Sequence, residues 1–572
     1  MDCSVGQLHV SLTAAGPVMR RDGGATQNPT IMQDRPPGDP CPCWWVPVLL
    51  AIPALIPLAQ SIIGAWRRGE VATGFIIYDM PCYMANAREH FDQGFQLFYG
   101  NPYAGYDTPA IYFQPHIFLL GCLQQLGLDP GLTFNIFGIA ALLFTAFVAV
   151  HFYHEVVGWY SPGAKLALVC FFWGGGILSL SGLVYSCIVG KLNTSTVLHF
   201  DAGSGYWMLN FGRNLVHPNE AYYHGVFLLS MLFLILRRFG IAIWLAALLS
   251  ISHPFAGLEA TLIVAAFLAL ENVLGDKSVK PVHLVSSAAL VVFHLGYYVF
   301  FLNRFADHRA LVMQWVETNW AYRLSTFLPA LFIVAVLAVT CLSRWPGWRQ
   351  LWREPRNRLF LVWFLMVFGL TQHDLVMKPL QPIHFAHGYD WMALFFLSAT
   401  LLVAVLDRLL RLESPRLRML AVSAFMLFFL SDNIVWFASF FKPNTPALYL
   451  TKSQKEVLDW LGARAVPRDM VVSSDWTVSY LVSTYTRVRS WEGHELNTPF
   501  FDERERETSE AFHSGTILPA WKTMHVFYVA SHDQSGWKPP SNSREVFHNA
   551  QFDIWECPPT RRPAGTLPGL RN

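Results

Sequence analysis

Apolar runs recur all along this chain from Trp44 to Phe441, many of about 18 to 22 residues, the length a helix needs to cross a bilayer core of about 30 Å. In lipid every backbone N–H and C=O must find its partner inside the segment, so such runs fold as helices. The candidates are 44–65, 111–128, 132–154, 164–184, 220–236, 240–271, 282–301, 323–343, 359–372, 389–406 and 419–441, with 240–271 broken at His253-Pro254. A chain 53 % hydrophobic and only 14 % charged falls outside the range of soluble domains. The fold class expected is a mainly α, polytopic membrane protein of about 11–13 transmembrane or re-entrant helices, followed by a small α/β domain.

Three regions follow. Residues 1–43, rich in Gly, Pro, Asp and Arg, read as a disordered tail; 44–441 form the transmembrane domain; 442–572 form a soluble C-terminal domain. In that domain Met470-Val471-Val472 reads as a strand and Ser453 to Leu461 as a charged helix. The run from Trp44 to Trp66 starts too far from the N-terminus for a cleaved signal and reads as a retained anchor. The 41 basic and 39 acidic residues nearly cancel, which argues neither for nor against an anionic partner. None of the nine cysteines shows a metal-ligand spacing, so no structural zinc site is predicted.

Orientation follows from Lys and Arg, which concentrate in cytoplasmic loops. The clusters Arg237/Arg238, Lys277/Lys280, Arg344 to Arg358 and Arg408 to Arg418 are separated by pairs of spans, so all can be cytoplasmic. The C-terminal domain and the polar loop 185–219 are then extracytoplasmic. Three apolar runs separate that loop from the earlier loop 66–109, which would place the two on opposite faces. The run 164–184 holds Gly174-Gly175-Gly176 and Ser179 to Gly182, and is expected to break without crossing fully. Arg67/Arg68 then stand outside, against the charge rule.

The first outer loop, 66–109, carries Asp79, an acid just outside a span and the leading functional candidate, together with Arg88. Met84, Ala87, Phe91, Phe95 and Phe98 recur at helical spacing and predict an amphipathic helix on the membrane surface. Tyr112 and His116 follow where the chain enters the membrane. The second outer loop, 185–219, and the helix start after it bring Asp201, Arg213, His217, Glu220 and His224 to one mouth, and Lys378, His384 and His387 form a third polar stretch. Facing each other, Asp79, Asp201 and Glu220 suit a divalent cation such as Mg or Mn, and the basic residues suit a phosphate. A plainer reading makes many of these residues interfacial anchors and helix caps, with Pro218 and Glu220 starting a helix. His253, His283 and His294 read as hydrogen-bonded core residues. No Walker A loop, GxSxG elbow, HExxH or dinucleotide fingerprint is present.

One span, a long outer loop with an early acid at Asp79, a surface helix, a second polar loop, many further spans and a soluble outer domain together resemble the GT-C superfamily of membrane glycosyltransferases. That group includes oligosaccharyltransferase catalytic subunits, protein O-mannosyltransferases and aminoarabinose transferases. Ile251 to Gly257 and Glu492-Gly493-His494-Glu495-Leu496-Asn497-Thr498-Pro499 are similar in flavour. The resemblance implies an inverting glycosyltransferase that takes a sugar from a polyprenyl-phosphate or pyrophosphate donor to a lipid, glycan or protein acceptor. Asp79 takes the place of the general base or metal ligand, with Arg213, His217 and Lys378 or His384 near the phosphate. The second loop lacks a DxD or ExD and the outer domain lacks a WWDxG-like motif, which speaks against an oligosaccharyltransferase proper. A bacterial inner membrane is expected, with site and C-terminal domain extracytoplasmic. The partners expected are lipid and lipid-linked sugar, with no nucleic acid. The alternatives are a transporter or flippase for a lipid-linked or small polar substrate, and a non-catalytic subunit of polysaccharide assembly.

Overall fold

The computed structural model describes residues 42–559 except 202–206, 276–278, 319, 322, 346, 442–447, 516 and 535. Residues 1–41 of the expected tail and Lys277 lie outside the described residues, as do the first residues of the expected C-terminal domain.

The principal helices of the membrane layer are α1 (Trp45–Arg68), α2 (Met80–Glu89), α3 (Pro115–Gln124), α4 (Pro130–Val156), α5 (Pro162–Trp173), α6 (Leu178–Ile188), α7 (Pro218–Ile235), α8 (Phe239–Ser252), α9 (Pro254–Leu274), α10 (Pro281–Leu295), α11 (Leu324–Leu342), α12 (Pro355–Thr371), α13 (Tyr389–Leu410) and α14 (Pro415–Ser439). Among the described residues seven helices are long and apolar enough to cross a membrane, and α5 and α6 form a further pair bent by 64°. Pro115, Pro130, Pro162, Pro218, Pro254, Pro281, Pro355 and Pro415 each open a helix, where a missing N–H costs nothing and the fixed φ favours the first turn. The break at His253-Pro254 is present: α8 ends and α9 begins there, and His253 Nδ1 caps α9 by accepting from Ala256 N at 3.1 Å.

Helix-to-helix contacts sort the chain ends onto two faces. On one face Arg237 and Arg358 both pair with Glu271, Arg356 donates to Val156 O at 3.3 Å, and Asp407 accepts from Gly163 N at 2.9 Å. These contacts place Arg237, Arg356 and Arg358, and Arg408 beside Asp407, on one face. The other face is capped by the C-terminal residues. Arg68 stacks on Tyr449 at 3.9 Å and pairs with Glu70 at 2.6 Å on that capped face.

The two polar loops do share a face, for a reason that differs from the one expected. Gly138 of α4 abuts Pro218 of α7, and Gly225 abuts Thr145, so α4 and α7 run side by side in the same direction. The chain must therefore return between them through α5 and α6, which bend at Gly174 to Ile177. Asp432 of α14 receives the freed N–H groups of Gly176 (2.8 Å), Leu178 (3.2 Å) and Ser179 (2.8 Å) at that bend. The run that fails to cross is 111–128. Its helix α3 has only 10 residues, about half of the hydrocarbon thickness at 1.5 Å each. Gly121 of α3 rests on Ala87 and Phe91, and α4 then starts back at the capped face, where Asn135 donates to Gly74 O at 3.1 Å.

The C-terminal residues form a mixed α/β layer. A short strand β1 (Val71–Ala72) in the first loop pairs antiparallel with β2 (Tyr449–Leu450). Beyond it, β3 (Met470–Ser473), β4 (Arg489–Ser490), β5 (Val526–Ser531), β6 (Arg544–His548) and β7 (Phe552–Cys557) make a sheet of order β4-β3-β5-β7-β6. The expected strand at Met470 and the charged helix are both present, the latter as α15 (Lys452–Arg464), opened by a Thr451/Gln454 capping box. Next comes α16 (Trp476–Tyr485).

The expected surface helix is shorter and less exposed than its spacing predicts. It ends at Glu89, and Met84 and Ala87 are fully buried because α2 is sandwiched between α3 and α16. Phe95 and Phe98 remain exposed beyond its end.

Candidate active site between the first loop and the C-terminal layer

Asp79 stands at the start of α2, where a side chain would ordinarily cap the helix, yet its carboxylate makes no capping bond. Its Oδ1 accepts a hydrogen bond from His494 Nε2 at 2.7 Å. Leu496 N–H donates to His494 Nδ1 at 3.1 Å, so that nitrogen carries the lone pair and the ring proton sits on Nε2, aimed at Asp79. His494 is 1 % exposed, whereas the Asp79 side chain is 58 % exposed. The histidine is a fixed donor and the carboxylate is open to an incoming group.

The surrounding sequence explains the rigidity. Tyr78 stacks on Trp476 at 5.6 Å and lies against the His494 ring at 4.5 Å, while its hydroxyl accepts from Glu495 N at 2.9 Å. Tyr480 donates to Tyr78 O, and Thr484 donates to Pro81 O at 3.0 Å. Gly493 lies so close to Tyr103 that a Cβ would come within 2.5 Å of the ring, and Asn101 reaches Asn497 O at 2.7 Å. An ion pair between Arg489 and Glu89 closes the same seam. The segment Tyr78 to Pro81 is thus gripped by α16 and the loop before Pro499.

Asp79 is reached by solvent but walled by protein, and that enclosure acts to raise its pKa. The hydrogen bond from His494, with the electrostatic influence of His494, His384 and His217, outweighs it and holds the carboxyl below its ordinary range. His217 and His384 thus lie near enough to act on the Asp79 charge, although they come from the second loop and from the stretch before α13.

Behind them lies a histidine cluster centred on Glu220. His387 Nδ1 lies 3.1 Å from Glu220 Oε1, and the two ring nitrogens of His224 face the carbonyl oxygens of Glu220 and His387, each at 2.8 Å. His116 Nε2 meets Tyr223 OH at 3.0 Å, and His253 stacks on Tyr223 at 4.5 Å. His384 packs against Phe255 at 4.9 Å and Trp207 at 5.2 Å. His217 Nε2, both amide atoms of Asn219, Glu220 Oε2 and His387 Nε2 are buried without a hydrogen-bond partner. Buried polar atoms normally find partners, so this concentration leaves donors and acceptors that water or a polar ligand could meet.

Several residues expected at the site are held elsewhere. Arg213, fully buried, donates to Asp201 at 2.9 Å, Asn433 at 3.1 Å and Asp432 O at 3.3 Å, and lies over the Trp436 ring. Among the described residues, Arg213 and Asp201 are fully buried and face each other and α14. Arg88 pairs with Asp92 at 3.0 Å and donates to Thr486 O at 2.9 Å, which ties α2 to the C-terminal layer. Tyr112 bonds to His308 at 3.0 Å, and Lys378 is exposed on the loop before Gln381. The expected metal set Asp79, Asp201 and Glu220 is not gathered around one point. Asp201 is held by Arg213, Glu220 by His387, and among the described residues the one group placed to hold a metal lies in the C-terminal sheet.

Two contributors escaped the sequence reading. His494 lies in a stretch that stood out by its similarity but received no role; a histidine set between two glutamates beside a glycine was the available signal. His253 does fill the core role expected of it, capping α9, yet its ring also borders the Glu220 cluster.

No family model matches the sequence, and no curated protein matches it. Among solved structures, the chain is similar to the Archaeoglobus fulgidus oligosaccharyltransferase tethered with an acceptor peptide, at 12 % identity and a TM-score of 0.44, covering 85 % of this chain and 69 % of that one. A structure of the same archaeal enzyme, AglB, with an inhibitory peptide and a dolichol-phosphate gives 12 % identity and a TM-score of 0.45 over the same shares. ArnT from Cupriavidus metallidurans in the apo state gives 12 % identity and a TM-score of 0.40, covering 90 % of this chain and 97 % of that one.

Proposed function

We propose that this chain is a membrane glycosyltransferase that moves a sugar from a polyprenyl-phosphate or pyrophosphate donor to an acceptor at the capped face. The observation that carries the reading is Asp79: an accessible carboxylate released from helix capping, oriented by a buried histidine N–H, and under the electrostatic influence of His217 and His384. A lipid-linked donor cannot leave the bilayer, so its head group must come to such a polar mouth.

In the proposed step Asp79 Oδ2 accepts the proton of the acceptor hydroxyl, while His494 holds Oδ1. The hydroxyl oxygen attacks the anomeric carbon, the bond from that carbon to the phosphate oxygen breaks, and the phosphate leaves with the electron pair. A single displacement inverts the anomeric centre. His217, His384 and His387 donate imidazole hydrogen bonds to the leaving phosphate, whose charge grows as the bond breaks. The acidic residues expected to bind Mg or Mn do not form one ligand set, and no step is routed through a metal.

The capped face is proposed to be extracytoplasmic in a bacterial plasma membrane, because Arg237, Arg356, Arg358 and Arg408 share the opposite face. The acceptor class is a lipid, glycan or protein hydroxyl. A transport reading draws on Glu259, buried in α9 with both carboxylate oxygens unpartnered, as a proton-carrying group would be. One assay separates the two. Purified protein in nanodiscs, supplied with a polyprenyl-phosphate-sugar extract, should form a covalent glycosylated product that Asp79→Asn does not form; full product from that variant would overturn the reading.

A further inference from the structure

Outside the recess, two histidines and an aspartate converge at one end of the C-terminal sheet. His548 closes β6 and stands directly opposite Asp553 of β7 in the antiparallel register. On the other side of β7, Ala530 of β5 pairs with Asp553, and His532 follows two residues later on the same side of the pleat, with its N–H bonded to Gln551 O at 2.9 Å. Two paired strands and the turn that follows a third thus deliver three side chains to one spot. His548 Nδ1 lies 2.5 Å and His532 Nε2 3.2 Å from the same oxygen, Asp553 Oδ1, and one ligand atom from each residue lies within 4.8 Å of those from the other two. The two imidazoles stack at 5.3 Å.

We propose that His532, His548 and Asp553 bind a divalent transition metal of the zinc class. Two imidazole nitrogens and one carboxylate form a donor set suited to zinc, copper or nickel and unsuited to Mg or Ca, which prefer oxygen. As a plain hydrogen-bond cluster the arrangement is poorly rewarded. The His548 side chain is 63 % exposed, exposed pairs contribute little, and both rings give up rotamer freedom to meet one oxygen. The sheet register fixes His548 and Asp553 in advance, the backbone bond to Gln551 fixes His532, and the exposed side leaves room for water to complete the shell. Cysteine spacing gave no sign of this site, because its ligands come from strands paired in space.

The bound ion clips edge strand β6 to β7 and β5. The hairpin between His548 and Asp553 also leans on the start of α15, where Asn549 donates to Ser453 O at 3.0 Å and Thr451 donates to Gln551 Oε1 at 2.9 Å. The metal therefore stiffens the sheet beside the β1–β2 junction. This role is independent of the proposed glycosyl transfer.

The test uses the full-length protein in detergent, treated with EDTA and titrated with ZnCl2 against a zinc indicator. The wild type should bind one more equivalent than Asp553→Asn or the double variant His532→Asn/His548→Asn, and zinc should raise its Tm while leaving theirs unmoved. X-ray absorption of the zinc-loaded wild type should show two imidazole ligands. Equal zinc binding and equal Tm response in wild type and both variants would overturn the proposal; so would variants that keep their Tm while the wild type takes up no zinc.

Discussion

Asp79 with His494 and Asp201 with Arg213 are both acid–base pairs of loops on the capped face, and all but His494 were sequence candidates. Their surroundings differ. The Asp201–Arg213 pair is fully buried, and the arginine also bonds to the α14 residues Asp432 and Asn433, so the guanidinium binds the second loop to the helix bundle. The Asp79 pair has one buried partner and one open one. A charged pair closed off from solvent on both sides holds structure, whereas a carboxylate held at one atom and open at the other is placed to react.

Substitutions break this contrast in a definite order. Asp79→Asn should lower transfer by about a thousandfold or more, in line with loss of a general base, with only a small fall in Tm, because the carboxylate supports no cap and the amide oxygen can still accept from His494. Arg213→Ala should do the reverse. Leaving Asp201 buried and unpaired costs about 3–5 kcal/mol, read as a lower Tm in detergent, while the molecules that remain folded keep near-native turnover. A large loss of activity in folded Arg213→Ala would erase the distinction between the pairs.

Smaller effects sharpen it. His494→Ala should reduce kcat by about 10- to 100-fold through misplacement of the base, with partial rescue by His494→Gln, whose amide can donate in the same place. The pH profile carries the sign. His494 is the leading influence holding the Asp79 pKa down, so without it the enclosure of the site acts largely alone and the pKa rises. Asp79 then protonates sooner as pH falls, and the acid limb of the rate profile moves to higher pH. His217→Ala should raise the donor KM by about tenfold, the worth of one hydrogen bond to a charged group. Exposed Lys378→Ala should change neither KM nor kcat by more than about twofold.

Much of the membrane architecture was legible because lipid leaves a chain few choices: apolar length, opening prolines and basic clusters carry it. The break at Gly174 to Gly176 was readable from its glycines. What misled was hydropathy length at 111–128, where Gln124 and Gly127 end α3 early and the packing of Gly121 on α2 turns it along the face. Asp79 was legible as an acid just outside a span. Its partner was not, since 415 residues separate it from His494 and no periodicity links them. Arg213 and Asp201 looked functional because sequence shows charge and hides burial.

The most direct measurement is a cryo-EM structure of the protein in nanodiscs loaded with a polyprenyl phosphate. The account predicts phosphate density in the recess, within hydrogen-bond reach of His217, His384 or His387 and facing the free oxygen of Asp79. Phosphate density seated elsewhere, with that recess empty, would contradict it.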